Sequence, residues 1–502
     1  MNKRSNLIWA NVAGIAYFVT AVVVSLVQFK LVVDYLSRPV AGLWLVVMTL
    51  ASYILLFDFG FGPTLTREMS LSLGRAGADN AAESSSMSRL LATQARLINT
   101  ACLIALFVCI PAGAAYLVSL LDTAAHANRV LVAWTLFGVG TVFNLRALNF
   151  LAGLEGFGHV SLSKVIRTIC ALTGLVLSAL LLQFDLDVLS FGLGMFFQGG
   201  LALLLSRHRM RRLSAMYPNG DINTGVALKL LGPSLRWAVM SLGALLIFQT
   251  SNLVIASKLS VSLVPIYDAV SKMGFAFVGF AIIPASIAVP TLGRLYSGER
   301  REDFNRLLLA NNKFALLTMV VLCSVFLAFY ESIITIWVGS SIVPDRFLVI
   351  TLMLVFLLEA NHVSLALGVM AAGHIVFASM AVLAGILNVA LALILSERLG
   401  LIGVALATLL SQLLTNNWYV PVYALRTFGI SAKQYASATL KQVVVVFVPL
   451  FILAYSLAIL LEPLPVVVRA SAAAALVALS LTSLVVFYFR EQRAFSFPSP
   501  AV

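Results

Sequence analysis

The chain has 502 residues, of which 61% are hydrophobic and only 11% charged, and its formal net charge is +13. Soluble domains are nearer a quarter charged, so this composition excludes a soluble globular protein and identifies an integral membrane protein. The positive charge sits at the ends of apolar runs, the pattern of membrane topology, which excludes a nucleic-acid-binding face.

Crossing the hydrocarbon core takes about 20 apolar residues. By that measure the sequence predicts spans near 7–33, 40–62, 92–121, 130–152, 162–184 and 187–206. After a basic gap it predicts spans near 230–257, 264–290, 313–338, 347–371, 375–396 and 401–420, then a last pair at 441–461 and 466–489. These make an all-α polytopic protein of about 14 helices with short loops and no room for a soluble domain. The first run follows Lys3 and Arg4 and reaches Val33. It is far longer than the roughly 7–15 residues of a signal-peptide core and is read as the first span.

The basic stretch 207–229 divides the first twelve spans into an N-lobe (1–206) and a C-lobe (230–420), with 421–502 carrying the last pair and a tail. Each set of six starts from the same side, so a repeat between them is parallel, about an axis along the membrane normal. Orientation follows from Lys and Arg. Arg67, Arg75, Arg89, Arg207, Arg209, Arg211, Arg212, Arg294, Arg300, Arg301, Arg426 and Lys433 fall on one side, together with both ends of the chain. Lys30, Arg38, Arg129, Lys258, Arg346, Arg398 and Arg469 fall on the other. The positive-inside rule puts the first set, and both termini, in the cytoplasm.

Several features break the apolar pattern. The second run ends in Asp58-Phe59-Gly60-Phe61-Gly62-Pro63, followed by Arg67-Glu68. Two glycines and a proline predict a broken helix there, with Asp58 and Arg67 as a charge pair at its inner end. Asp268 and Lys272 stand four apart in the eighth span, the acid first, and are expected to neutralise each other or to offer Lys272 to a phosphate. Glu359 lies about twelve residues into the tenth span with His362 a turn further on. It reads as a buried, protonated carboxyl or as a site coupled to H⁺ or Na⁺.

Arg96, Arg146, Lys164, Arg167 and Arg236 lie inside the inner ends of four spans. Each alone reads as an interface anchor. Together they are expected to line a cationic vestibule, where guanidinium donors would meet a pyrophosphate. Amides in the spans, among them Asn99, Asn149, Gln249, Asn252, Gln412 and Asn416, suit interhelical bonding or sugar contacts.

Cys102, Cys109, Cys170 and Cys323 all sit in apolar runs and read as small hydrophobes, with no disulfide or metal framework. There is no Gly-x-x-x-x-Gly-Lys-[Ser/Thr] loop for ATP, and Asp185-Leu186-Asp187 falls on the outer side of this topology. An ATP-driven pump or nucleotide-sugar transferase, and enzymatic activity generally, are not expected.

The Asp-x-Gly-x-Gly break with the Thr64-Leu65-Thr66-Arg67 that follows it resembles the second-helix signature of Wzx-type polysaccharide flippases, a branch of the multidrug/oligosaccharidyl-lipid/polysaccharide exporter superfamily. Further resemblance lies in IYDAVSKMGF (266–275), in the Pro-rich IPASIAVPTLGRLYSGERREDFNRLL (283–308), in Ile336-Trp337-Val338-Gly339, and in the tract holding Asn388 and LGLIGV (399–404). The last pair of spans resembles the family only in hydropathy. The resemblance implies two six-helix lobes in a V around a central cavity. It also implies alternating access, and an undecaprenyl-pyrophosphate-linked oligosaccharide bound for surface polysaccharide such as O-antigen or exopolysaccharide. Membrane lipids, a polysaccharide polymerase and a chain-length regulator are the partners it implies, with no cofactor beyond an ion gradient. A lipid II flippase or a multidrug cation exporter of the same superfamily are the alternatives. The first favours arginines in the first helix, where this chain has Asn11 and Gln28. The second favours acidic cavities and twelve spans.

Alkaline-phosphatase fusions test the orientation. A fusion after Asp187 is expected to be active and one within 216–220 inactive; the reverse pattern inverts the topology.

Overall fold

The computed structural model describes residues 3–75, 80–121, 124–215, 221, 224–374 and 376–493. Parts of the 207–229 linker and all of the tail after 493 lie outside the described residues. The described chain is helical, and 13 of its segments are long and apolar enough to cross a membrane. One of these, Ala378–Phe428, runs for 51 residues. Inside it Gly400 adopts φ 58°, ψ −136°, and Gly403 packs against Leu395. Residues eight apart touch there only because the chain turns back, and counting the two arms separately gives the fourteen spans predicted from hydropathy. The chain divides into two compact units.

The first unit comprises Met1–Pro265 with Ala381–Val389. Its helices are α1 (Lys3–Tyr35), α2 (Arg38–Leu55), α3 (Phe61–Arg75), α4 (Asn80–Ile104), α5 (Ile110–Val118), α6 (Ala124–Gly156), α7 (Val160–Leu182), α8 (Val188–Ser214), α9 (Thr224–Phe248) and α10 (Thr250–Val254). Apolar burial supplies little drive between helices in lipid, so close packing must rest on small residues. The α6–α8 contact shows this. Gly199 lies against the backbone of Gly140, and a Cβ on Gly140 would come within 2.5 Å of the Met195 carbonyl. Close to this contact Trp44 of α2 is fully buried, its ring 5.2 Å from that of Phe137 and 5.5 Å from that of Phe191.

The third predicted span is one helix with a five-residue π turn at Ala105–Cys109, placed just before Pro111, whose ring cannot sit on a regular α ladder. The seventh is likewise interrupted at Gln249, with a second π turn over Ile255–Leu259. Asn388 donates to the carbonyls of Leu246 and Ile247 at 3.0 and 2.9 Å beside that interruption. Its amide therefore serves a helix contact.

The second unit comprises Ile266–Met380 with Ala390–Val502. It contains α11 (Val264–Ala281, from Ile266 on), α12 (Ile283–Ser297), α13 (Arg301–Val338), α14 (Arg346–Ala371), most of α15 (Ala378–Leu414), α16 (Asn416–Phe428), α17 (Ala432–Tyr435), α18 (Lys441–Leu460) and α19 (Val466–Arg493). The predicted eighth span bends at Ile282, where Pro284 opens α12. The axis of the unit is α13, 38 residues and so about 57 Å long, well beyond the roughly 30 Å of hydrocarbon. α18 and α19 each pack along α13 far more than on one another. Val325 and Phe329 of α13 meet Ala454 and Ala473 in an apolar layer. Tyr488 adds a polar tie between α19 and α13 by donating to Asn311 Oδ1, and Tyr435 of α17 donates to Asn361 Oδ1 of α14, both at 2.7 Å. Asn312 Nδ2 donates to the same Asn361 oxygen at 3.0 Å and to Ser364 Oγ at 2.6 Å.

Replacing Gly199 by Val drives a branched side chain into the Gly140 backbone and is expected to cost about 1–3 kcal/mol, as overpacking does. Thermal unfolding in detergent should show a lowered midpoint for G199V. The control G200A, whose added Cβ meets nothing within 4 Å, should leave it unchanged.

Candidate functional site

The break predicted after the second span is the start of the site. α2 ends in a tight turn over Leu56–Asp58, then Phe59 and Gly60 take left-handed φ of 47° and 69° before α3 begins. Such a break strands backbone groups in a membrane span, and each needs a partner. Thr64 Oγ1 donates to the Gly60 carbonyl at 2.9 Å and itself accepts from Ser234 Oγ at 3.1 Å. Gln94 Nε2 donates to the Phe61 carbonyl at 3.2 Å. The Gly62 N–H reaches Asp58 Oδ2 at 3.4 Å. Gly60 lies directly on Trp237, which leaves no room for a side chain.

Beside the break lies a cavity of about 570 Å³. Its walls follow helical spacing: Gly62, Pro63, Thr66, Arg67 and Ser70 along one face of α3, and Leu148, Ala152 and Glu155 along one face of α6. Asp58 and Arg167 close it from α2's end and from α7. Thr66 Oγ1 ties the two walls together by donating to the Ala152 carbonyl at 3.0 Å.

The expected Asp58–Arg67 charge pair does not form. Both side chains face this cavity, but Arg67 reaches Glu68 at 3.2 Å with 70% of its side chain exposed. Asp58 Oδ1 is buried without a hydrogen-bond partner. The left-handed turn at Phe59 and Gly60 re-aims α3, so nine residues of sequence separation do not translate into contact.

The five cations of the expected vestibule are sorted by a residue that the charge pattern alone does not single out, Glu155. Its Oε1 accepts from Ser163 Oγ at 2.8 Å and Lys164 Nζ at 3.0 Å, with Arg167 Nη2 at 3.9 Å. All three charges are largely buried, Glu155 at 19% exposure. Lys164 and Arg167 therefore share one counter-charge within their own unit, Lys164 by a hydrogen bond and Arg167 at longer range. The signal was present in sequence as a lone acid ending one span, nine and twelve residues ahead of two cations opening the next. Arg146 differs: its Nη1 donates to Asn149 Oδ1 at 3.0 Å and its guanidinium lies 4.0 Å from the Phe150 ring centroid. Neither partner cancels its charge. Arg96 and Arg236 are exposed.

In the second unit Lys272 Nζ meets Asp268 Oδ2 at 3.4 Å with both side chains mostly buried, the geometry their spacing predicts. Glu359 Oε2 stands 3.5 Å from His362 Nδ1, again mostly buried. The four cysteines are free thiols. Among the described residues no His, Cys, Asp and Glu cluster suits a metal ion.

No protein-family model matches this chain, nor does any curated protein. Solved structures do. A lipid II flippase, MurJ, in an inward closed conformation aligns with a TM-score of 0.65 at 14% identity, covering 95% of this chain and 99% of that one. An inward-facing multidrug resistance MATE family transporter of the MOP superfamily aligns at 0.63 and 12% identity, covering 86% and 97%. A mutant form of the Vibrio cholerae MATE transporter VcmN aligns at 0.61 and 13% identity, covering 86% and 98%.

This is the MATE and MurJ fold. At these identities the likeness carries the architecture, and the chemistry must be read from the charged groups above. The MATE and MurJ fold is here furnished with intramembrane ion pairs and an unbalanced arginine.

Glu155→Gln is expected to leave two partly buried cations without a counter-charge and to cost about 1–3 kcal/mol. A double-mutant cycle with Lys164→Met checks it: the combined loss should fall well short of the sum of the single losses.

Proposed function

We propose that this protein is a flippase that carries an undecaprenyl-pyrophosphate-linked oligosaccharide from the cytoplasmic to the outer leaflet of the bacterial inner membrane. It acts by alternating access and supplies surface polysaccharide synthesis. The observation that carries the proposal is Arg146, a guanidinium inside a span whose partners are an amide and a ring. A positive charge held in low dielectric without a carboxylate is costly unless it awaits an anion. A pyrophosphate is such an anion, and planar guanidinium donors suit it.

Lys272 supplies the corresponding contact in the second unit once it leaves Asp268. Arg96 and Arg236 extend the cationic surface, and Lys164 and Arg167 join it only by releasing Glu155. Asp58 and Arg67 at the α2 break serve gating. Asp268 and Glu359, the latter with His362, serve coupling to H⁺ or Na⁺. α18 and α19, both seated on α13 and barely on each other, are the helices proposed to receive the lipid tail. Membrane lipids, a polymerase and a chain-length regulator are the proposed partners, and both termini are proposed to be cytoplasmic.

A second reading has its own support. The MurJ alignment covers 95% of this chain, against 86% for the MATE transporters, so the fit to a lipid carrier extends further along the sequence. Lipid II itself is then a competing substrate, and a cation exporter the more distant one. Rescue of a lipid II flippase-depleted strain decides for the former, and dye efflux for the latter.

Arg146→Ala and Lys272→Ala are each expected to lower export of lipid-linked oligosaccharide by about tenfold or more, the worth of one charge-assisted contact, with protein levels intact. Arg146→Lys should retain part of the activity. Full export by both alanine variants overturns the proposal.

A further inference from the structure

Arg207, Arg209, Arg211 and Arg212 fall within six residues at the end of α8. All four are exposed, and among the described residues none of their guanidinium groups joins an ion pair or a hydrogen bond. No Asp or Glu stands between Asp187 and Asp221 to offset them. The basic stretch of the second unit is built differently, since its Arg300 already meets Asp303 at 2.6 Å.

Such a helix end works against itself. Arg207 and Arg211 stand four apart and repel each other. The negative end of the helix dipole is worth only about half a charge against four. The helix nevertheless runs on to Ser214 because its other face is packed. Met210 is buried over Gly153 of α6, and Leu213 joins the apolar layer that holds Ile166 and Cys170 of α7. The arginines are thus presented on a helix braced from behind.

Depth and direction say what they are presented to. α8 starts beside Asp187, whose pairing with the exposed Arg129 at 3.3 Å marks the far end of the helix as polar. Arg207 is its twentieth residue (188 to 207), about 30 Å along, which is the thickness of the hydrocarbon core. Arg209, Arg211 and Arg212 follow within about 8 Å, at the level of the lipid phosphates. At 100° per residue the four side chains fan over about 200° of the helix surface, and Ser206 and Met210 take the buried remainder. Charges splayed this widely do not converge on one phosphate. They suit several singly charged groups lying side by side, which is what an anionic leaflet offers.

We propose that the Arg207–Arg212 turns of α8 are a docking surface for anionic phospholipid headgroups, phosphatidylglycerol in chemistry, gathered around the helix from the adjacent leaflet. The surface is separate from Arg146 and Lys272, and no transport step enters its test.

The full-length protein is reconstituted in nanodiscs holding equal amounts of phosphatidylglycerol and phosphatidylcholine with the same acyl chains. A trace of each lipid carries a photoreactive headgroup, and after illumination the labelled peptides are read by mass spectrometry. An arginine beside an anionic surface is worth about fivefold in local lipid ratio. Labelling of the segment around 207–214 should therefore favour phosphatidylglycerol by about fivefold or more at roughly 0.1 M salt. At roughly 1 M salt, where screening acts within about 3 Å, most of that preference should vanish. The variant R207Q/R209Q/R211Q/R212Q should lose it at low salt, and R211Q should lose part. R300Q, which removes an arginine already paired with a carboxylate, should leave it unchanged. Equal labelling of this segment by the two lipids in the wild type, the result for a cluster that only sets topology or that serves a soluble acidic partner, overturns the proposal without any variant. So does an undiminished preference in a monodisperse preparation of the quadruple variant.

Discussion

A polar group in a hydrocarbon environment has no water to fall back on, and this one constraint orders the molecule. At the α2 break the chain abandons helical hydrogen bonds for a left-handed turn; side chains from α3 and α4 answer the freed carbonyls, and Ser234 of α9 donates to the α3 hydroxyl that does so. The same demand governs the charges. Glu155 gathers Ser163, Lys164 and Arg167 around one oxygen, and Asp268 holds Lys272 a turn away. In each case opposite charges sit within a few ångströms, because distant compensation is worth little once a group is desolvated.

Against that background the exceptions gain meaning. Arg146 has polar company but no counter-charge, and Asp58 and Arg167 each keep a buried atom unmatched. Soluble proteins satisfy nearly all such groups, and membrane spans have stronger reason to. The first unit thus holds an arginine without a counter-charge on α6 and unmatched polar atoms at α2's end and on α7. The second unit turns several of its polar side chains to assembly: Asn311 holds α19 to α13 through Tyr488, and Asn361 of α14 ties α13 through Asn312 and α17 through Tyr435. An added helical pair fastened by both an apolar layer and hydrogen bonds behaves as part of the unit.

The amides divide in the same manner. Asn388 braces the broken seventh span, and Asn252 donates to Thr49 at 3.2 Å inside the first unit. These are helix contacts. Asn149 is different, since its oxygen is committed to Arg146 and so orients the unbalanced guanidinium.

Hydropathy by itself determined that this is a helical membrane protein, how many times the chain crosses, and which loops carry the positive charge. Those properties depend on composition over some twenty residues and on nothing further away. The i,i+4 pairing of Asp268 with Lys272 and the broken helix at Gly60 were equally legible, because both are set by local helical geometry. Only the tertiary structure decided that Asp58 and Arg67 part company. Only it showed that Glu155 claims two of the five predicted cations while Arg146 goes without, and that one cavity collects Asp58, Glu155 and Arg167. Those facts depend on how α3 is re-aimed across the end of α6. The direction of a chain leaving a left-handed turn is fixed by what it packs against, not by the residues that permit the turn.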